Sequence, residues 1–250
     1  MLCIDEVSGR SKKFKKGLTP LRHSGIVATH TVNTNYIHMR IKALCLAAAA
    51  ASLVTTVAQA QNVYSMNVVG YHQVTIQPNK FGLIANQLNT TNNTLQALLP
   101  SVPPNTLFYK YVNGSWQPSQ FDEFDLKWTD GTFTLNPGEG GFIKNVDTAP
   151  LTLTFVGEVL QGGLTNALPA GLAVRSSMVP QQGLLTTDLG YPAAANDTVY
   201  TYADGYTPFQ FDEFDLKWTP SEPTIKIGEA FFSKKVAAEN WTRNFTVPTQ

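Results

Sequence analysis

Short runs of alternating, β-branched and aromatic residues dominate the hydrophobic pattern of the chain after residue 60. The runs Val199 to Ala203 and Tyr206 to Phe209 flank Asp204-Gly205, which is typical of a β-hairpin with a tight turn. Asn113-Gly114 has the corresponding place earlier in the chain, and the strongest helical pattern is the short segment Asn93 to Leu99. The pattern predicts an all-β fold of sandwich-like or barrel-like units with at most one short helix in each.

One ten-residue segment occurs twice without change. Gln120 to Thr129 reads QFDEFDLKWT, and the same letters return at Gln210 to Thr219, 90 residues later. Such an identity does not arise by chance, so the chain contains an internal duplication. We therefore predict two tandem β repeats, residues 61–155 and 156–250. No Ser/Gly/Pro-rich linker separates them, which favours rigid packing of one repeat on the other.

Residues 39–60 have the three parts of a secretory signal peptide. Arg40 and Lys42 form a basic start, Ala43 to Val57 is apolar, and Ala58-Gln59-Ala60 is a small-residue cleavage site. As a helix the apolar run would span about 22 Å, which is short of the ~30 Å hydrocarbon core of a bilayer. We expect export to the periplasm, the cell surface or the medium. An uncleaved membrane anchor is the alternative, and residues 1–38 are expected to be an over-extended or disordered start.

Charge and residue usage change when this leader is set aside. It holds eight of the 18 basic residues and two of the 18 acidic residues, so residues 61–250 carry a net charge near −6. That charge argues against nucleic acid and anionic membranes as partners. Both cysteines, Cys3 and Cys45, also lie in the leader, so no disulfide is expected. His72 is the one histidine that remains, which excludes zinc sites with several histidines, and we expect it on a strand surface.

The duplicated segment carries the only candidate metal ligands. Ca²⁺ takes six to eight oxygen ligands, and each copy offers three carboxylates within four residues. In an extended strand the first and third carboxylates would be about 10 Å apart, whereas a turn would bring them together. The candidate ligands are Asp122, Glu123, Asp125, Asp212, Glu213 and Asp215.

Two other interpretations of this segment remain open. In the first, Phe121, Phe124, Leu126 and Trp128 are core anchors, and the acids and Lys127 face water. In the second, the segment is a surface for self-recognition or for a partner. Its exact repetition can also record a recent duplication.

Aromatic residues are the remaining candidates for chemistry. They make up 11% of the chain, and exposed ones would form platforms for sugar rings. Aromatic residues at strand spacing are also typical of a core or of cross-strand pairs. Paired carboxylates could serve a glycosidase, but adjacent acids within one local motif do not flank a single cleft. No nucleotide-binding or metalloprotease motif occurs after residue 60, so we predict no catalytic residues.

Three segments carry a resemblance to known proteins. They are the stretch Gln61 to Tyr71, the Phe-x-Leu-Ile-Ala-Asn element at Phe81 to Asn86, and the Pro-Gly-x-Gly-Phe element at Pro137 to Phe142. Together they resemble a group of secreted two-repeat β proteins of verrucomicrobial and related bacteria. The last two are remotely similar to bacterial surface β modules built on Gly-Trp-Asn-Leu-Ile and Pro-Gly-x-Gly-Tyr, although no tryptophan precedes Leu83 here. The resemblance implies export and a fold, and no catalytic residue.

The sequence thus predicts an exported structural or adhesive protein of the cell envelope or extracellular space, without catalytic activity and without a resident cofactor. Its expected partners are envelope components or further copies of itself. The alternatives are a Ca²⁺-binding or glycan-binding β module and, third, a glycan-active enzyme.

Overall fold

Antiparallel strands account for most of the regular structure in the computed structural model, which describes residues 68–247. The predicted start at residues 1–38 and the predicted signal peptide at 39–60 lie outside the described residues. Fifteen strands and one helix occur in the described part, and the prediction of an all-β fold is confirmed. The described residues belong to one compact unit.

The elements up to residue 158 are β1 Val69–Ile76, β2 Phe81–Ile84, α1 Leu95–Leu98, β3 Leu107–Val112, β4 Ser115–Gln120, β5 Gly141–Lys144 and β6 Leu151–Glu158. The elements after it are β7 Gly162–Leu168, β8 Gly171–Arg175, β9 Gly183–Leu184, β10 Thr198–Tyr202, β11 Tyr206–Phe211, β12 Trp218–Thr219, β13 Thr224–Ile225, β14 Phe231–Lys235 and β15 Glu239–Phe245.

Two larger sheets and three small ones are formed by these strands. The first sheet has the order β2-β5-β3-β4 and the second the order β8-β14-β10-β11-β12. The pairs β1/β6, β7/β15 and β9/β13 form two-stranded sheets, and neighbouring strands are antiparallel in all five sheets. The two large sheets have the same strand order over four strands: β2, β5, β3 and β4 of the first sheet correspond to β8, β14, β10 and β11 of the second.

The predicted division into two repeats stays a prediction. Its boundary between residues 155 and 156 falls inside β6, and residues 159–161 connect β6 to β7.

The β10/β11 hairpin lies where the Asp204-Gly205 turn predicts it, and Asp204 has a φ of 58°. The β3/β4 hairpin turns at Asn113-Gly114, where both residues have positive φ, as such tight turns require.

Each large sheet covers its own core. The first core contains Phe108, Phe121 and Trp128, and the second contains Tyr191, Trp218 and Trp241. A third buried cluster joins the two sheets. It consists of Leu83, Ala85, Phe142, Val174, Ala230 and Phe232.

Backbone hydrogen bonds run between the two halves of the chain in a reciprocal pattern. After β2, the Ala85 amide donates to the Gly228 carbonyl at 2.9 Å. After β8, the Ser176 amide donates to the Gly138 carbonyl at 3.0 Å. The chain after the edge strand β2 is thereby bonded to the turn before β14 of the second sheet. In the same way, the chain after the edge strand β8 is bonded to the turn before β5 of the first sheet.

Gly140 shows how closely the halves approach. A Cβ atom there would lie 2.3 Å from the Ala230 side chain and 2.8 Å from Val174, both of which belong to the joining cluster. Any side chain at residue 140 would therefore push the two sheets apart.

His72 is not on the strand surface, and that expectation is wrong. Its side chain in β1 is 6% exposed, stacks on Phe155 with ring centroids 5.0 Å apart, and abuts Gly228. The alternation of β1 explains this, since His72 and Ile76 face the core as Leu164 and Leu168 do in β7. Neither ring nitrogen has a hydrogen-bond partner among the described residues, and burial lowers the pKa of the imidazole to about 4.

This burial predicts a stability that falls in acid. The unfolded chain binds a proton at His72 below about pH 6.5, whereas the folded chain does so only below about pH 4. The free energy of unfolding should therefore fall between these values by up to about 3 kcal/mol. His72→Leu, which copies the residue at position 164, should remove this component. Urea unfolding of both proteins at pH 7.5, 5.5 and 4.5 measures it, and parallel pH profiles would contradict the prediction.

Candidate functional site

The duplicated segment forms a tight turn in each copy, closed by backbone hydrogen bonds and by one aspartate. The Asp122 amide donates to the Lys127 carbonyl at 2.8 Å. Asp122 Oδ1 accepts hydrogen bonds from the amides of Phe124 and Asp125 at 2.8 and 2.9 Å. These bonds lower the pKa of the Asp122 carboxyl. Asp212 makes the same two bonds in the second copy, with the same direction of pKa shift.

The other predicted ligands point to different partners. Glu123 Oε2 accepts from the Asn105 side chain at 3.1 Å, and Glu213 Oε2 accepts from Asn196 at 2.8 Å. Asp125 and Asp215 are exposed. Among residues 68–247 no group of three or more His, Cys, Asp or Glu side chains is placed to hold a metal ion. The structure thus does not bring the six acids into a formed site, and Ca²⁺ binding stays a prediction.

The interpretation of the segment as four core anchors is wrong for half of them. Phe121 and Trp128 are buried and bridge each other at the base of the turn. Phe124 is 85% exposed and Leu126 is also exposed, as are Phe214 and Leu216 in the second copy. Leu126 has a φ of 51°, so the chain reverses at the tip and cannot continue the alternation of a strand.

The strongest candidate site is an aromatic groove between the two large sheets. It has a volume of about 350 Å³, within the range of small-ligand sites. Strands β2, β3, β4 and β5 supply four of its side chains, and the β10/β11 hairpin supplies the other two. The lining residues are Phe81, Tyr109, Trp116, Phe142, Tyr202 and Tyr206.

Phe142 forms the floor of the groove. Its ring centroid lies 4.8 Å from that of Tyr202 and 5.3 Å from that of Trp116, with interplanar angles of 81° and 50°. These edge-to-face and tilted packings fix the rings of both sheets in one arrangement. Trp116 remains 37% exposed and Tyr206 58% exposed, so the rim of the groove presents ring surface to solvent.

A polar cleft of about 470 Å³ adjoins the groove and shares Phe81 and Tyr202 with it. Lys80 Nζ lies 3.3 Å from Asp204 Oδ2, which links the end of the β1/β2 turn to the β10/β11 hairpin. Burial raises the pKa of the Glu229 carboxyl in this cleft. The charged residues that line it are Lys80, Asp204, Lys226 and Glu229.

The two cavities together suit a ligand with flat apolar faces and polar edges. Ring surfaces contact the faces, and the cleft offers carboxylates and ammonium groups to hydroxyls. Burial and the neighbouring Tyr202 hydroxyl raise the pKa of Tyr206, so its phenol remains a hydrogen-bond donor at neutral pH. Lys144 Nζ lies 5.4 Å from the Phe81 ring centroid and adds a cation at the edge of the groove.

Sequence reasoning considered aromatic platforms but did not locate this groove. Trp116 and Tyr206 each lie just after a predicted hairpin turn, which was the available signal. The sequence does not show that the two hairpins line one cavity, because this depends on how one sheet packs against the other.

Comparison with protein-family models, curated proteins and solved structures finds no match. The resemblance to secreted verrucomicrobial proteins therefore stays a prediction. In the described part of the chain, no helix has the length and apolar character needed to cross a membrane.

The turn geometry predicts different effects of two substitutions at the aspartate. Asp122→Ala removes the acceptor of two amide hydrogens and should lower the melting temperature, whereas Asp122→Asn keeps an oxygen there and should lower it less. The same order is expected for Asp212→Ala and Asp212→Asn. Thermal melting at pH 7 measures it, with the exposed Asp125→Ala as the control. Equal melting temperatures for the Ala and Asn variants would refute the capping role.

Melting in chelator and in millimolar Ca²⁺ tests the metal prediction. Because Asp122 Oδ1 and Asp212 Oδ1 are already engaged by backbone amides, we expect no shift. A specific site with Ca²⁺ at 100 times its dissociation constant would add about 2.7 kcal/mol of stability. A rise that disappears in the double variant Asp125→Asn/Asp215→Asn would establish the acidic turns as metal sites.

Proposed function

We propose that this chain is an exported, non-catalytic adhesive protein that binds carbohydrate in the groove between its two sheets. The observation that carries the proposal is the set of six aromatic side chains from both sheets, with exposed ring surface at Trp116 and Tyr206. Export is supported by the predicted signal peptide at residues 39–60.

The class of carbohydrate follows from the shape of the surface. Flat ring surfaces pack best against sugars whose hydroxyls are equatorial, because these leave the C–H faces of the sugar ring free. Chains of β-1,4-linked glucose or N-acetylglucosamine have this property. Their hydroxyls would lie toward the adjoining cleft, where Lys80 and Asp204 are exposed to solvent.

The absence of catalysis belongs to the proposal and is supported by the lining of the groove. The ionisable groups among its six side chains are tyrosine phenols. A glycosidase needs two carboxyl groups that flank the scissile bond at about 5 to 10 Å. Asp204 and Glu229 line the neighbouring cleft and not the groove, and Asp204 is already paired with Lys80.

A binding experiment on cello- and chito-oligosaccharides tests the proposal. Trp116→Ala should weaken binding of the purified protein at least tenfold, which corresponds to about 1.4 kcal/mol, and Tyr206→Ala should act in the same direction. Phe124→Ala and Phe214→Ala are the controls, because they remove exposed aromatic rings that lie outside the groove. Isothermal titration calorimetry gives the affinities.

Tryptophan fluorescence gives a second readout of the same binding. The other three tryptophans, Trp128, Trp218 and Trp241, are buried, so a spectral change on adding sugar reports on Trp116. Two results would overturn the proposal. One is no binding to any carbohydrate on a broad array, and the other is binding that survives in the Trp116→Ala/Tyr206→Ala double variant. A change of oligomeric state in that variant would indicate that a second copy of the chain occupies the groove.

A further inference from the structure

A lysine is buried at the end of β14 between two carboxylates. Lys235 Nζ donates hydrogen bonds to Asp197 Oδ2 and to Glu239 Oε2, the latter at 2.9 Å. It also donates to the Pro192 carbonyl at 2.6 Å. The side chains of Lys235 and Asp197 are almost completely buried, whereas that of Glu239 is 44% exposed.

The fold does not require charges at these two positions. Thr198 pairs with Lys234 in the second sheet as Leu107 pairs with Lys144 in the first. Asp197 and Lys235 therefore correspond to Thr106 and Asn145, which are equally buried. There two neutral side chains are satisfied by backbone carbonyls: Asn145 donates to Ile76, Gln77 and Ala149 at 2.8 to 3.3 Å, and Thr106 donates to Pro103 at 2.7 Å.

A buried ion pair such as Lys235–Asp197 contributes little to the free energy of unfolding and can even lower it. Removing two charges from water carries a desolvation penalty that their mutual attraction often does not offset. Transfer of a proton from the Lys235 ammonium to the Asp197 carboxylate leaves the net charge unchanged and removes both buried charges. The ring of Tyr191, whose centroid is 5.4 Å from Lys235 Nζ, forms one wall of this site.

The Asp197 carboxyl is also held as an acyl acceptor. Its Oδ1 accepts a hydrogen bond from the Val236 amide at 3.0 Å, and its Oδ2 accepts one from the Ala194 amide at 2.8 Å. These two fixed backbone donors polarise the carboxyl carbon, and the Val236 amide can stabilise negative charge on Oδ1. The nucleophile, the polarised carboxyl group and an acid–base group thus meet at the end of β14, with the nucleophile and the carboxyl group buried and Glu239 partly exposed.

We propose that Lys235 and Asp197 condense to an intramolecular isopeptide bond, with Glu239 as the catalytic residue that moves protons. The chemistry is that of acyl transfer to an amine, and the substrate is the chain itself. The net change is the loss of one water molecule from the ammonium–carboxylate pair, so no oxidant, nucleotide or other co-reactant is needed.

A proton passes from Lys235 Nζ to Asp197 Oδ2, which leaves a neutral amine and a carboxylic acid. The Nζ lone pair attacks Asp197 Cγ, and the electrons of the C–Oδ1 double bond move to Oδ1, where the Val236 amide stabilises them. Glu239 takes a proton from Nζ and gives it to Oδ2. The C–Oδ2 bond then breaks, water leaves, and Oδ1 becomes the amide carbonyl oxygen.

Mass spectrometry of the purified, denatured protein tests the proposal. The wild-type chain should be lighter than its sequence by the mass of one water molecule. Digestion should yield one branched peptide in which Lys235 is joined to Asp197, and trypsin should not cleave after Lys235. Lys235→Arg and Asp197→Ala should restore the full mass and the linear peptides. Glu239→Gln should form the bond about 100-fold more slowly or not at all.

Matched variants separate the bond from other losses of water. Lys234→Arg changes an exposed neighbour and should keep the branched peptide. The double variant Asp130→Glu/Asp204→Glu removes both Asp-Gly sequences, which can also lose water by cyclising, and should leave the mass deficit in place. A wild-type digest containing only linear peptides with unmodified Lys235 and Asp197 would overturn the proposal, whether or not any variant folds. Bond formation at the wild-type rate in Glu239→Gln would overturn the role of Glu239.

Discussion

The contact between the two large sheets is the constraint on which the rest of the structure depends. At residue 140 the backbone of one half lies against Ala230 and Val174 of the other, and only a hydrogen atom fits between them. That proximity allows the Ala85–Gly228 and Ser176–Gly138 backbone hydrogen bonds. It also buries Phe142 beside Phe232, from which the aromatic groove is built. A change that widened this junction would remove hydrogen bonds, apolar burial and the groove together.

Local sequence signals were sufficient for the strands and their turns. The Asp204-Gly205 and Asn113-Gly114 hairpins lie where their turn residues place them, because Asn113, Gly114 and Asp204 adopt the positive φ that tight turns favour. In the duplicated segment, local signals were misleading, because they predicted core positions for Phe124 and Leu126, which are exposed. Its aromatic and apolar positions suggest burial, but Asp122 captures the amides of Phe124 and Asp125 and turns the chain before Phe124 can reach the core. A side chain competing for backbone amides outweighed the hydrophobic pattern.

The groove and the buried lysine lay beyond prediction for a different reason. Asp197 and Lys235 are 38 residues apart, and no local motif around either residue indicates that the two side chains meet. Trp116 and Tyr206 meet around Phe142 only because the two sheets pack against each other. Such long-range contacts depend on sheet packing, which no window of the sequence encodes. His72 shows the same limit, because its burial depends on packing against Phe155 and Gly228, whereas its own polarity suggests a surface position.

The origin of the groove residues has a consequence for how binding depends on dilution. Four of the six rings come from residues 81–142 and two from the hairpin at 202–206, yet all belong to one chain. If two separate molecules had to supply these rings, the groove would disappear whenever the protein concentration fell below the dissociation constant of that pair. Covalent continuity replaces that concentration by an effective concentration fixed by the chain, so the site stays assembled when a single molecule is far from any other.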